Sequence, residues 1–278
     1  MLRILPGGGL RLVPGGVVSS CGVLPVSVAV HGDLVYVANA GDGGAGYTGF
    51  RLGDNGRLRQ IGGSAVSLPD GSQPGDVLFN GTGSSLAGVR VGTSLIDSFT
   101  VGADGHLTAA PGSPFPAQGL GPFGSEFRPA NPGQLFVSNA HNGAGAGTVS
   151  AFADSSSGIL TPVGSSPFAD LQTAPCWVEI SHDGQFLFTV NTGSGTVSRY
   201  AIAADGSLKL LGSTAVGPDP AAGAVDARLS PDGHFLYVDE SAVGKVAGFA
   251  VHGGNLTLLA GSPASLPAHA APAGVVVT

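Results

Sequence analysis

Lysine is nearly absent from this chain: Lys209 and Lys245 are the only two among 11 basic side chains, and charged residues make up 10% of the 278 positions. The arginines are scattered rather than clustered, and the net charge is -7. Such a balance predicts no nucleic-acid footprint and no surface for an anionic membrane. No apolar run is long enough to cross a bilayer, and residues 1–7 lack the apolar core of a signal peptide, so the expectation is a soluble, cytoplasmic protein. Only two cysteines occur, Cys21 and Cys176, too few for a disulfide framework and wrongly spaced for a metal pair. The simplest account of both is a small residue beside a strand start. A nucleophilic Cys176 would need a nearby base, and the next histidine, His182, falls beyond the end of that strand. Runs of helical period are missing. The glycine runs Gly43-Gly44-Ala45-Gly46 and Gly143-Ala144-Gly145-Ala146-Gly147 lack the Lys-Ser/Thr ending of a phosphate-cradling loop.

Turn formers are what the chain has in quantity, with 48 glycines and 20 prolines. They punctuate one recurring phrase. Its clearest copy runs from Pro175 through Ser181-His182-Asp183-Gly184, Phe186-Leu187-Phe188-Thr189-Val190-Asn191 and Gly195-Thr196-Val197-Ser198-Arg199-Tyr200 to Asp205-Gly206-Ser207-Leu208. The next copy reads Ser230-Pro231-Asp232-Gly233, Phe235-Leu236-Tyr237-Val238, Gly244 to Phe249 and Gly254-Asn255-Leu256. Taking Pro25, Pro74, Pro122, Pro175, Ala222 and Ala271 as markers, the period is roughly 47 to 53 residues, the spacing of a four-stranded propeller blade.

The phrase predicts an all-β propeller forming a single domain over residues 1–278, with antiparallel blades at about 25–71, 74–119, 122–172, 175–220 and 222–269. Strand a is expected at about Val26, Gly75, Phe123, Cys176 and Ala224, with negligible helix. Phe50, Phe99, Phe152, Tyr200 and Phe249 fall at matching places on strand c, where large rings fill the space between stacked blades. The ends are expected to form a partial blade, with c and d strands in residues 1–14 and a lone a strand in residues 271–278. A ring that opens in mid-blade predicts an N-terminally truncated chain.

These phrases resemble the lactonase family of seven-bladed propellers, which includes bacterial 6-phosphogluconolactonase and fungal carboxymuconate-lactonizing enzyme. The resemblance covers essentially the whole chain and is strongest from Pro175 to Pro263. It implies the seven-bladed scaffold and a possible hydrolysis of a sugar or carboxylic lactone. The phosphogluconolactonase branch carries a His-x-His and an Asp-Leu-Gly-x-Asp stretch, and neither occurs here.

Sites in propellers lie at the mouth of the central channel. The connections expected there bring His141, Asn139, Asn191, Trp177 and Glu240, whereas His182, Asp183, Asp205 and Asp232 sit in turns on the opposite face, where turn formation accounts for them. Strand a carries a second polar set. Glu126 and Glu179 share one offset from Pro122 and Pro175; Arg228 aligns with them, and Trp177 and Asp226 align two residues earlier on the same face. Charges on a walled-in strand must be paired or reach the channel, and an inter-blade pair of Glu179 with Arg228 satisfies that demand. For lactone opening, Glu179 or Asp226 would be the base, Arg228 the oxyanion partner and His141 a proton carrier, with Trp177, Asn139, Asn191, Glu240 and Glu126 binding the ligand. No cofactor and no metal is expected. The competing expectation is a non-catalytic propeller that binds a small molecule or a protein partner at the mouth.

Overall fold

The computed structural model describes residues 1–277, and its strands gather into five antiparallel sheets and one short hairpin. The sheets start at Pro25–His31, Pro74–Phe79, Pro122–Arg128, Pro175–Ile180 and Ala224–Leu229, which are the five inner strands anticipated from the repeat. Each then adds its strands outward in chain order, as Leu34–Asn39, Gly46–Leu52 and Leu58–Gln60 do in the first blade. In four of the five sheets the outer edge comes in two pieces, because a second short stretch also pairs with the third strand; in the fourth blade a single strand, Leu208–Ala215, covers that edge. No helix of the structure is long and apolar enough to cross a membrane among the described residues.

The turn between the first two strands shows why the Ser-x-Asp-Gly phrase recurs. Ser181 Oγ donates to Asp183 Oδ1 (2.6 Å), while Asp183 Oδ1 accepts the Gln185 amide (3.0 Å) and Ser181 Oγ accepts the Phe186 amide (2.9 Å). Ser230, Asp232, His234 and Phe235 repeat the same set. Gly184 and Gly233 close these turns at φ +69° and +71°, a left-handed conformation that side chains resist. Local hydrogen bonding therefore fixes the hairpin.

Packing between blades supplies the core. Phe50, Phe152 and Phe249 are all but inaccessible, as are Phe99 and Tyr200. Phe99 meets Tyr47 of the preceding blade edge-on, with centroids 5.9 Å apart. Polar stitches reinforce the joints. Tyr47 Oη donates to Asp97 Oδ2 (2.9 Å), which also accepts Arg90 Nε (2.7 Å). Arg128 of the third blade donates from Nε to Gly184 O (2.7 Å) and from Nη1 to Ala203 O (2.9 Å), both in the fourth.

The inner strands pack side by side in chain order, and Ala224–Leu229 makes no comparable contact with Pro25–His31. The five sheets thus form an open fan. On its first blade Val26, Val28 and Val30 are exposed, although Val77, which matches Val28 in the second blade, is buried. The ends meet expectation in part: the two strands expected in residues 1–14 form, and the lone a strand does not. Among the described residues Leu2–Ile4 pairs only with Leu10–Leu12, and Arg57 Nε donates to Pro14 O (3.1 Å) beside that hairpin. Residues 271–277 form no strand, and Thr278 lies outside the described residues. The amide of Val275 is instead given to a side chain, Asp226 Oδ2 (2.7 Å), so it is not free for a ladder.

Candidate functional site

Every inner strand carries a register shift just after its first residue, between Pro25 and Ser27, Pro74 and Asp76, Pro122 and Ser125, Pro175 and Val178, and Ala224 and Ala227. Such a bulge bends the strand and re-aims a side chain. Asp76 and Asp226 both sit at this place, and each caps its own bulge by accepting the next amide at 2.8 Å, from Val77 and from Ala227. Trp177 occupies the corresponding position of the fourth blade. In the third it is Gly124, where a Cβ would come within 2.6 Å of Cys176 O and 2.7 Å of Trp177 Cα, so only glycine permits the approach of the two blades.

These side chains line a cavity of ≈ 750 Å³ between the inner strands. Its polar wall includes Ser27, Asp76, Ser125, Glu126, Asp226 and Arg228; Trp177, Phe79, Phe123 and the valines of the first blade provide apolar wall. The cross-strand partners of Glu126, Glu179 and Arg228 are Phe136, Phe188 and Tyr237, equivalent residues of successive second strands, so the shared offset read from sequence holds. Glu179 stands behind Arg228. Its Oε2 is 3.2 Å from Arg228 Nη1, and its Oε1 accepts the Leu229 amide (2.9 Å). The expected inter-blade ion pair is therefore present, with Glu179 buried and the Arg228 side chain 43% exposed towards the cavity.

Burial dominates the electrostatics. It pushes Glu179 up to about 7, against the opposing pull of Arg228 and the Leu229 amide. Asp226 is raised to about 6 by burial, with the amides of Val275 and Ala227 and the charge of Arg228 working the other way. Glu126 is raised well above the ordinary carboxylate range by burial and then by repulsion from Glu179. Its Oε2 is buried without a hydrogen-bond partner. Both carboxyl groups of the cavity thus bind their protons more tightly than usual, Asp226 ionising at about 6 and Glu126 shifted further in the same direction.

Asp76 is the member that sequence reasoning passed over. It accepts Ser27 Oγ (2.8 Å), Val77 N (2.8 Å), Ser125 N (3.1 Å) and Ser125 Oγ (2.8 Å), and so joins three blades. The available signal was its offset, two residues after Pro74 as Asp226 is two after Ala224.

Four of the expected site residues stand elsewhere. His141 is exposed beyond the second strand of the third blade, its ring against Gly121, and does not line the cavity. Asn139 Nδ2 donates to Thr148 Oγ1 (3.0 Å) and Ser150 Oγ (2.9 Å), and Asn191 Nδ2 to Thr196 Oγ1 (3.1 Å) and Ser198 Oγ (2.9 Å), so both amides brace their own blades. Glu240 is buried opposite Lys245 in the fifth blade and lies outside the cavity wall. Cys176 does border the cavity, but burial pushes its thiol up to about 12, which leaves it a poor nucleophile. No group of three or more His, Cys, Asp or Glu side chains among the described residues is arranged to hold a metal ion.

Repeated four-stranded blades around a polar cavity define a propeller, and residues 127–272 match the family described as lactonase, 7-bladed beta-propeller. The chain belongs to that family. Among solved structures, a Lactobacillus plantarum protein shares 22% identity at a TM-score of 0.72, the match covering 87% of this chain and 71% of that one. A Bacteroides uniformis protein provisionally assigned as a 6-phosphogluconolactonase is 20% identical (TM-score 0.70; 90% and 73% covered). The periplasmic gluconolactonase of Pseudomonas aeruginosa is likewise 20% identical (TM-score 0.66; 84% and 69% covered). At these identities the likeness is one of fold. Among curated proteins, none is significantly similar to the chain in sequence.

Proposed function

We propose that the chain opens a lactone by hydrolysis in the inner-strand cavity. One observation carries the reading: Asp226, Arg228 and Glu126 face a common cavity, where burial raises the proton affinity of both carboxyl groups. Asp226 takes a proton from the attacking water as its oxygen bonds to the lactone carbonyl carbon. Arg228 stabilises the oxyanion of the tetrahedral adduct. The ring carbon–oxygen bond then breaks, Glu126 protonates the departing alkoxide, and a hydroxy acid leaves. Proton exchange with solvent restores Asp226 and Glu126. Glu179 positions Arg228 through the 3.2 Å pair without touching the substrate. His141 has no part in this scheme.

Opening of glucono-δ-lactone followed in a pH-stat tests the proposal. The expected rate exceeds the buffer rate, falls by about 100-fold or more in Asp226→Asn, and is unchanged in His141→Ala. Turnover that survives Asp226→Asn discards this base. The second reading, a binding propeller without catalysis, draws support from the lack of histidine among the cavity-lining residues. It wins if the protein binds a ligand at Trp177 and opens no lactone.

A further inference from the structure

The charges around the cavity are unequal in a way that bears on what can enter. Arg228 is its one cationic lining residue among the described residues, and that guanidinium already faces Glu179 at 3.2 Å. Neither lysine borders the cavity: Lys209 is on an outer strand and Lys245 begins the third strand of the fifth blade. Asp76 and Asp226 border it with no cation within ion-pair reach. Burial raises the proton affinity of Asp76, against four hydrogen bonds that include the Val77 and Ser125 amides.

The neutral polar wall has the opposite character. Ser241 presents a hydroxyl group, Ser27 and Ser125 donate theirs to Asp76, Glu126 has an unpartnered oxygen, and Trp177 offers an aromatic face beside Val178 and Val225. Hydroxyl groups of a ligand would find an acceptor in the Asp226 carboxylate, and the C–H face of a sugar ring would find the indole. A phosphate dianion would find no cation that is not already paired, and would meet the Asp226 carboxylate in a partly desolvated space, where like charges repel strongly.

Resting on the hydrolytic reading above, we infer that the site takes an uncharged polyhydroxylated lactone and rejects phosphorylated or carboxylated ones. The resemblance alone leaves both kinds open. The charge of the wall decides between them.

Two measurements on the full chain at pH 7 separate this inference from the hydrolytic reading itself. In the first, kcat/KM is compared for glucono-δ-lactone and its 6-phosphate; the uncharged substrate is expected to lead by about 100-fold or more. In the second, Trp177, the one tryptophan of the chain, reports binding by its fluorescence during titration with 1,5-anhydroglucitol or its 6-phosphate, neither of which can be hydrolysed. The neutral polyol is expected to shift the emission at concentrations where the phosphate does not. Asp226→Asn should narrow that difference by about 10-fold, since it removes one charge and keeps the shape. Equal or better turnover of the phosphorylated lactone, tighter binding of the phosphorylated polyol, or discrimination unchanged in Asp226→Asn overturns the inference. If neither lactone is opened, the hydrolytic reading fails while the fluorescence arm still decides the charge preference. Silence in both arms overturns both.

Discussion

At the scale of single residues, the site is governed by carboxyl groups whose proton affinity is raised by burial. A raised carboxylate pKa makes the folded state the better proton binder, so stability should be fully present at low pH and decline as pH rises from the ordinary values, 4.5 for Glu179 and 3.8 for Asp226, through about 7 and about 6. Glu179→Gln should flatten the upper part of that decline in denaturant melts recorded from pH 4 to 8. Activity should run the other way, with kcat/KM rising through about pH 6 as Asp226 ionises and falling once Glu126 loses its proton. Arg228→Ala removes the cation that holds Glu179 down, and Glu179 can respond by taking up a proton. The expected cost is therefore about 1–3 kcal/mol and larger at pH 8 than at pH 5. A penalty equal at both values would show that Glu179 does not titrate. Cys21 is exposed and Cys176 buried, so a thiol reagent should modify one cysteine of the native protein and both after denaturation.

At the scale of elements, the strand starts at Pro25, Pro74, Pro122, Pro175 and Ala224 are legible in the sequence because proline, Ser-x-Asp-Gly turns and alternating apolar residues act locally. The common offset of Glu126, Glu179 and Arg228 is legible for the same reason. The bulges are not, since a register shift depends on how the next strand pairs. Alternation places Asp226 on the site face of its strand, yet nothing in it reveals that a bulge directs Asp226 and Asp76 alike. Asn139 and Asn191 mislead by standing at strand ends, where either a ligand or a serine and threonine of the next strand can claim the amide. Residues 271–277 are apolar and end in three valines, but a strand needs a free edge and the amides of Gly274 and Val275 turn to Asp239 and Asp226. Asp76→Ala should cost about 3 kcal/mol in denaturant unfolding, because it strands the Ser27 and Ser125 hydroxyls and the Ser125 amide between three blades. Phe249→Ala, which empties a fully buried ring site between the last two blades, should cost roughly 3–5 kcal/mol.

At the scale of the whole molecule, the open fan leaves an apolar sheet face at Val26, Val28 and Val30. Sheets with such faces attract other chains. At tens of micromolar this chain should self-associate in sedimentation, and Val28→Glu should reduce that association; a wild-type protein that stays monomeric at millimolar concentration would show the face to be harmless.

The order in which the inner strands touch has one more consequence. Each sheet leans only on the sheets before and after it, so the chain resembles a row of dominoes more than a ball, and its cohesion is a series of four seams. A row of this kind frays from its ends. Amide exchange should be slowest in the third blade, whose seams are held by Asp76 on one side and Arg128 on the other, and fastest in the hairpin of Leu2–Ile4 with Leu10–Leu12. The cavity straddles several seams at once. A molecule bound there would act as a clasp across the row, slowing exchange in blades it never touches.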